Sequence, residues 1–217
     1  MLRRMPDAPL AVTTMPELLD AVAQVSAPGR AIALVGGADF VDEGDVTAIA
    51  GFFGVLVEVL EATRTTVLDG GTDSGVMRLI GAARTAAAAT FPLIGIVPGG
   101  VLERPGRTGE PISLARDHSL VVLVPGSSFG DEDPWLFEAA DHLNGGSAPT
   151  LVVNGGRLTL EEASMRLGLG HLVVAVAGSG RAADELAEDP DLPASLRLRV
   201  IPVSADAARI AAAFEGG

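Results

Sequence analysis

Seven short runs of β-branched and aliphatic residues recur along the chain: 31–35, 65–68, 93–97, 120–124, 151–153, 172–176 and 198–203. The first six each end on a small-residue turn that carries glycine. Continuous apolar runs bounded by glycine suit a parallel sheet covered on both faces, because a strand with one wet face would alternate apolar and polar residues. Helical patterns lie between them, at 45–62, 75–89, 134–143, 160–167, 181–187 and 205–214. The alternation predicts a doubly wound α/β domain, a mainly parallel sheet of about seven strands with helices on both faces. Within 45–62, Ile49, Phe52, Phe53, Leu56 and Leu60 recur at three- and four-residue steps, and Asp45 or Gly44 is placed to cap the helix.

The chain's 217 residues are enough for one large domain with a real core. Residues 1–30 read as a leader with a first helix, and 31–217 as a single domain. The polar, proline- and glycine-rich stretch 104–111 reads as a mobile loop inside that domain and not as a linker. A net charge of -13 argues against tracking a nucleic-acid backbone or an anionic membrane, so any phosphate must be held locally.

With no cysteine, disulfides, zinc-thiolate sites and thiol nucleophiles are excluded. All 15 basic residues are arginine, which removes Schiff-base chemistry and the lysine of a Walker-type phosphate loop. The start Met1-Leu2-Arg3-Arg4 runs into Pro6, Asp7 and Pro9 without a continuous apolar stretch or a small-residue cleavage site, so it reads as a loose leader. The longest apolar segment, 46–60, reads as too short to span a bilayer. A soluble cytoplasmic protein is expected.

In open parallel sheets, ligands sit outside the carboxyl ends of the strands, where strand order reverses. The six glycine turns fall at that edge: Gly36-Gly37, Gly70-Gly71, Gly99-Gly100, Gly126 to Gly130, Gly155-Gly156 and Gly178-Ser179-Gly180. Any one of them is explained by the needs of a strand-to-helix turn. The richest, Asp69-Gly70-Gly71-Thr72-Asp73-Ser74-Gly75, adds hydroxyls and a helix N-terminus, the elements of a phosphate cradle.

Two further patterns fail on their partners. Gly126-Ser127-Ser128-Phe129-Gly130 has the spacing of a nucleophile elbow on Ser128, but no histidine follows Leu198 to complete a triad. Gly178-Ser179-Gly180-Arg181-Ala182-Ala183 has dinucleotide-binding spacing, but it follows the sixth strand and lacks a ribose-binding acid after the next. The three histidines show no metal-ligand spacing, so no metal site is expected. His118 reads as a residue that positions the chain, and Trp135 as packing.

The string Asp69 to Met77 followed by Gly81-Ala82-Ala83 resembles the SLOG (LSDAT) superfamily. Within it, the likeness is to the segment at the N-terminus of melastatin-type transient receptor potential channels, in a prokaryotic stand-alone form. Ile94 to Gly100, His118 to Val124, Phe129 to Glu132 and Gly178 to Ala187 match the family's pattern in the same order. The resemblance implies a Rossmann-like fold that binds nucleotides or nucleotide-derived ligands, of ADP-ribose type in the channel branch. It implies no cofactor beyond that ligand. A related branch hydrolyses the N-glycosidic bond of nucleoside monophosphates with an arginine and a glutamate beside a Pro-Gly-Gly-x-Gly-Thr-x-x-Glu motif. Here Pro125 to Glu132 changes the third glycine-rich position and the threonine.

The ligand-binding residues implied are Gly36, Gly37, Gly70, Gly71, Thr72, Ser74, Gly75, Val76, Pro98, Gly99, Gly100, Gly126, Ser127, Ser128, Gly130, Glu132, Gly178, Ser179, Gly180 and Arg181. The amides of Gly70, Gly71, Gly75, Gly126 and Gly130 would surround phosphates, with Ser179 and Arg181 on a distal phosphate or the ribose. If the chain is a hydrolase, Glu132 serves the developing ribosyl cation, with Glu138 in reserve, and Arg116 or Arg78 serves the phosphate. The expected partner is a small-molecule nucleotide. The apolar circumference of 45–62 reads either as burial in the core or as a homodimer face.

Overall fold

Each of the seven apolar runs becomes a strand, with ends within one residue of those expected. A computed structural model describes residues 8–26, 29–37, 43–106, 109–189 and 197–215. Its strands are β1 (Leu10–Ala11), β2 (Ala31–Gly36), β3 (Thr66–Asp69), β4 (Leu93–Pro98), β5 (Leu120–Val124), β6 (Thr150–Val153), β7 (Val173–Ala177) and β8 (Leu198–Pro202). They form one sheet in the order β1-β5-β4-β3-β2-β6-β7-β8, and every pairing is parallel.

The eighth strand, β1, has no counterpart among the expected runs, since two exposed residues carry no periodicity. It pairs Leu10 with Val122 and Ala11 with Leu123 of β5. Helix α1 (Met15–Ala23) follows, fixed by a capping box between Thr14 and Glu17, and buries Leu18 and Val22 in the core. Met1 to Arg4 lie outside the described residues.

The other helices are α2 (Glu43–Thr63), α3 (Gly75–Ala86), α4 (Asp133–Asn144), α5 (Arg157–Gly168), α6 (Arg181–Glu188) and α7 (Ala207–Phe214). Helices α1, α4, α5 and α6 cover one sheet face. Helices α2, α3 and α7 cover the other. Strand β2 shows the two-sided burial directly, with Ala31, Ala33 and Val35 in the first core and Ile32 and Leu34 in the second.

Helix α2 begins at Glu43, so Asp45 lies in its first turn and not at the cap. Its span Gly44–Thr63, 20 residues with a mean hydropathy of 1.7, is long and apolar enough to cross a membrane by length and composition. This corrects the shorter reading of 46–60. Ile49, Phe52, Phe53, Leu56, Val57 and Leu60 are instead spent on the sheet.

The chain runs from β2 outward through β3, β4 and β5, then crosses back to place β6, β7 and β8 on β2's other side. The order therefore reverses between β2 and β6, which directs attention to the carboxyl ends of those strands.

Candidate functional site

The turn after β3 is anchored from beneath. Asp69 is fully buried and accepts a 2.8 Å hydrogen bond from the Gly71 amide, while His118 Nε2 lies 2.9 and 3.0 Å from its two carboxylate oxygens. His118 does position the chain, as its sequence context suggests. Gly71 has φ +63 and packs against Gly95 of β4, where a Cβ would come 2.4 Å from the Gly71 Cα. The Gly71 carbonyl accepts from the Ala115 amide and the Ser113 carbonyl from the Asp73 amide, which bind residues 113–115 to the turn.

Helix α3 starts on this platform without a side-chain cap. Its N-cap Ser74 is extended, and the Ser74 hydroxyl sits 3.0 Å from Thr72 Oγ1 without reaching the first-turn amides. The Val76 amide donates to the Gly37 carbonyl, whereas the Ser74 and Gly75 amides have no partner among the described residues. Those amides border a cleft of about 610 Å3. Thr72, Asp73, Ser74, Gly75 and Arg78 form one wall, Val101, Arg104 to Gly106 and Glu110 to Ser113 the second, and Ser127, Ser128 and Phe129 the third. An uncapped helix N-terminus, two hydroxyls and two arginines border this one cavity, and these are the donor types by which proteins hold oxyanions. The proline- and glycine-rich loop contributes the second wall, its Pro105 bridged to Pro111.

The turn after β5 treats its amides differently. Asp131 Oδ2 accepts from the Ser127 amide at 2.7 Å and the Ser128 amide at 3.0 Å, and Glu132 Oε2 accepts from the Gly130 amide at 2.7 Å. The Ser127 and Ser128 bonds hold the Asp131 carboxyl below its ordinary range. Glu132 is nearly buried, and desolvation pushes its carboxyl up to about 7 against the pull of its own and the Gly130 amide.

Glu132 borders a recess of about 80 Å3 beside the cleft, at the reversal of strand order. Gly36, Gly70, Met77, Leu136, Leu158 and Thr159 line it, together with Asp133 and Glu162, and Thr72 and Phe129 are common to both cavities. Asp133 and Glu162 hydrogen-bond to each other. Burial, reinforced by the Asp133 charge, pushes Glu162 up to about 9, and burial also raises Asp133. The recess is thus lined by three carboxyls that burial makes harder to ionise.

The ends of β6 and β7 form a clasp. Ser179, fully buried, accepts from the Asn154 amide at 2.8 Å, donates to the Val176 carbonyl at 2.6 Å, and offers its own carbonyl to Asn154 Nδ2 at 2.6 Å. Asp45 completes it at 3.4 Å from Asn154 Nδ2. The Gly178 amide donates to Asp184, and the Arg181 guanidinium lies over Gly156.

Of the residues expected to bind ligand, Thr72, Ser74, Gly75, Ser127 and Ser128 meet at the cleft, and Gly36, Gly70, Thr72 and Glu132 at the recess. Gly37, Gly71, Val76, Pro98, Gly99, Gly100, Gly126, Gly130, Gly178, Ser179, Gly180 and Arg181 line neither cavity. Three of their amides already have partners within the chain: that of Gly71 in Asp69, that of Gly100 in the Gly126 carbonyl and that of Gly130 in Glu132. Arg116 and Glu138 are exposed and border neither cavity, while Arg78 does border the cleft. Arg104, Phe129 and Glu162 were not among the expected site residues, and Asp133 was read with Asp131 and Glu132 only as an acidic group at a helix N-terminus. A loop on the carboxyl rim was the available signal for Arg104.

Residues 30–211 match the family model described as SLOG in TRPM, prokaryote. The chain belongs to that family. None of the curated proteins matches it. Among solved structures, this SLOG chain is similar to TM1055, a structural-genomics target, with a TM-score of 0.58 and 20% identity over 83% of this chain and 97% of that one. It is similar to the molybdenum cofactor binding protein of Rippkaea orientalis, with a TM-score of 0.56 and 16% identity over 81% and 90% of the two chains. The molybdenum cofactor carrier protein of Chlamydomonas reinhardtii gives 0.56 and 19% over 85% and 95%. At these identities the likeness is one of fold.

Proposed function

We propose that this SLOG domain binds and reports a phosphate-bearing nucleotide derivative of ADP-ribose or NAD type. The observation that carries the reading is the uncapped N-terminus of α3, opening into the 610 Å3 cleft beside Arg78 and Arg104. A phosphate there accepts the Ser74 and Gly75 amides and the Thr72 and Ser74 hydroxyls, with a guanidinium on either side. Phe129, 44% exposed and common to both cavities, offers a face on which a base can stack. The distal-phosphate role given to Ser179 and Arg181 passes to Arg104.

Calorimetric titration with ADP-ribose, AMP and a cyclic dinucleotide tests the reading. The molybdenum cofactor joins the panel because two proteins of this fold are described by it. Binding of one of these by wild type, weakened in Arg78→Ala, supports the reading; folded protein that binds none of them removes it.

A second reading, hydrolysis of an N-glycosidic bond, is favoured by one observation. Glu132, with its carboxyl near 7 in a recess adjoining the cleft, is poised to exchange a proton at neutral pH or to face a ribosyl cation. Release of free base that disappears in Glu132→Gln decides for hydrolysis. Tight binding without turnover decides for the sensor.

A further inference from the structure

A second cavity, of about 540 Å3, opens at the opposite edge of the sheet from the cleft, where the strands begin. Arg30 leads into β2 there, Thr65 into β3 and Pro149 into β6, and the C-terminal ends of α2 and α7 supply most of the remaining wall. Its volume is that of a small-molecule site. Ile32, Val59, Leu60, Pro149, Ala211 and Phe214 give it an apolar body. Val59 and Phe214 are only partly buried against the second core, so apolar surface is left for an occupant.

The polar groups at this cavity divide by sign. Thr63 Oγ1 lies 2.7 Å from the Val59 carbonyl and 2.8 Å from Thr65 Oγ1. A carbonyl can only accept, so the Thr63 proton goes to α2's own backbone and the Thr65 hydroxyl donates to Thr63. Both hydroxyls, which line the cavity, therefore have lone pairs alone to offer a ligand. Helix α2 ends at Thr63 with no basic residue in its last turn, and the negative end of its dipole adds to this acceptor character. Arg64, next in the chain, does not line the cavity. The matching end of α7 is already met by Arg199, which donates to the Ala212, Ala213 and Glu215 carbonyls.

Two full charges remain. Arg30 is the one cation among the lining residues and Glu215 the one carboxylate, and neither charged group has a hydrogen bond or ion pair among the described residues.

We propose that this cavity is a second ligand site, for a small zwitterion on an apolar body: the chemistry of a free α-amino acid with a branched aliphatic or aromatic side chain. The ammonium donates to the Thr63 and Thr65 lone pairs and pairs with Glu215, the carboxylate pairs with Arg30, and the side chain lies against Val59, Leu60 and Phe214. A ligand carrying both charges complements the cavity, whereas a singly charged amphipath leaves Arg30 or Glu215 without a counter-ion. The cavity shares no residue with the cleft, so the inference stands whether or not the cleft holds a nucleotide.

The test follows backbone amide signals by NMR while the full chain is titrated with leucine and phenylalanine at about pH 6, where amino groups are protonated. Two analogues of leucine accompany them: isocaproate, which lacks the ammonium, and leucinamide, which lacks the carboxylate. Leucine is expected to shift Ala31, Ile32, Thr65 and Ala211 at millimolar concentration and to leave Gly75, at the cleft, unmoved. Each analogue binds roughly fivefold more weakly, the factor given by one charge at contact range in water. Glu215→Gln weakens leucine and leucinamide by that factor and spares isocaproate; Arg30→Gln weakens leucine and isocaproate and spares leucinamide. Both side chains are exposed, and melting curves check that the variants stay folded.

The proposal is overturned if neither amino acid moves these amides, or if the shifts gather at Gly75 instead. It is equally overturned if either analogue binds as tightly as leucine, which would make the cavity a general apolar pocket, or if the two variants leave leucine affinity unchanged.

Discussion

At the scale of single residues, the site divides into groups that hold the turns and groups left over for a ligand. Asp69 and His118 hold the β3–α3 turn, and Ser179 and Asn154 hold the β6–β7 clasp. Arg78 is left over in the cleft, so its removal is read in binding and not in folding. Arg78→Ala is expected to weaken a phosphate ligand roughly ten- to a hundredfold, the range for a lost charge-assisted hydrogen bond. Calorimetry beside an unchanged melting curve checks it. Gly95 belongs to the holding group: an added Cβ would lie 2.4 Å from backbone, so Gly95→Ala should cost at least about 2 kcal/mol in urea unfolding. A wild-type midpoint in that variant would show that β3 and β4 can spread apart. The sequence exposed where glycines cluster but not why. Backbone amides look identical in a sequence whether they await a phosphate or already serve a neighbouring carboxylate, as Gly71 and Gly130 do.

At the scale of elements, β2 to β7 were legible because they are largely buried on both faces and so read as mainly apolar runs, whereas the edge strand β8 carries Arg199 and an exposed Val200. Strand β1 was not, being two exposed residues that gain their pairing only from β5. The α4–α5 junction was equally hidden, since nothing in α5 marks Glu162 as the acid that meets Asp133. Its consequence is a pH dependence of stability. Glu132 and Glu162 titrate at about 7 and about 9 in the fold, against 4.5 for their ordinary value. Their folded values are raised, so the stability they allow is whole below pH 4.5 and is lost as pH climbs through 7 and then 9. Glu162→Gln fixes the neutral form. Its melting temperature should exceed that of wild type by about 4 °C or more at pH 9 and match it at pH 5. Parallel pH profiles for the two proteins would mean that the Asp133–Glu162 contact carries no shared proton.

At the scale of the whole molecule, the reversal of strand order and the open cleft on the rim do not coincide. The reversal lies between β2 and β6, where a Cβ on Gly36 would collide with the Val153 carbonyl and Val76, and one on Gly37 with the Asn154 side chain. What space remains is the small acidic recess, and the open cleft is displaced toward β3, β4 and β5. A ligand seated there meets guanidinium groups close by but approaches through the field of a chain with net charge -13. The two act at different ranges. Arg78 and Arg104 work at contact, whereas the net charge repels an anion over the Debye length, about 30 Å at 0.01 M salt and about 10 Å at 0.1 M. Screening therefore removes the repulsion first. The association rate of a fluorescent AMP analogue, followed by stopped flow, should rise roughly two- to tenfold between those salt concentrations, while dissociation also quickens as the arginine contacts weaken. This is the reverse of the behaviour of a basic phosphate-binding protein. An association rate that falls with salt would place the attraction in a long-range positive field around the cleft, and the phosphate would then owe its seat to the arginines more than to the head of α3.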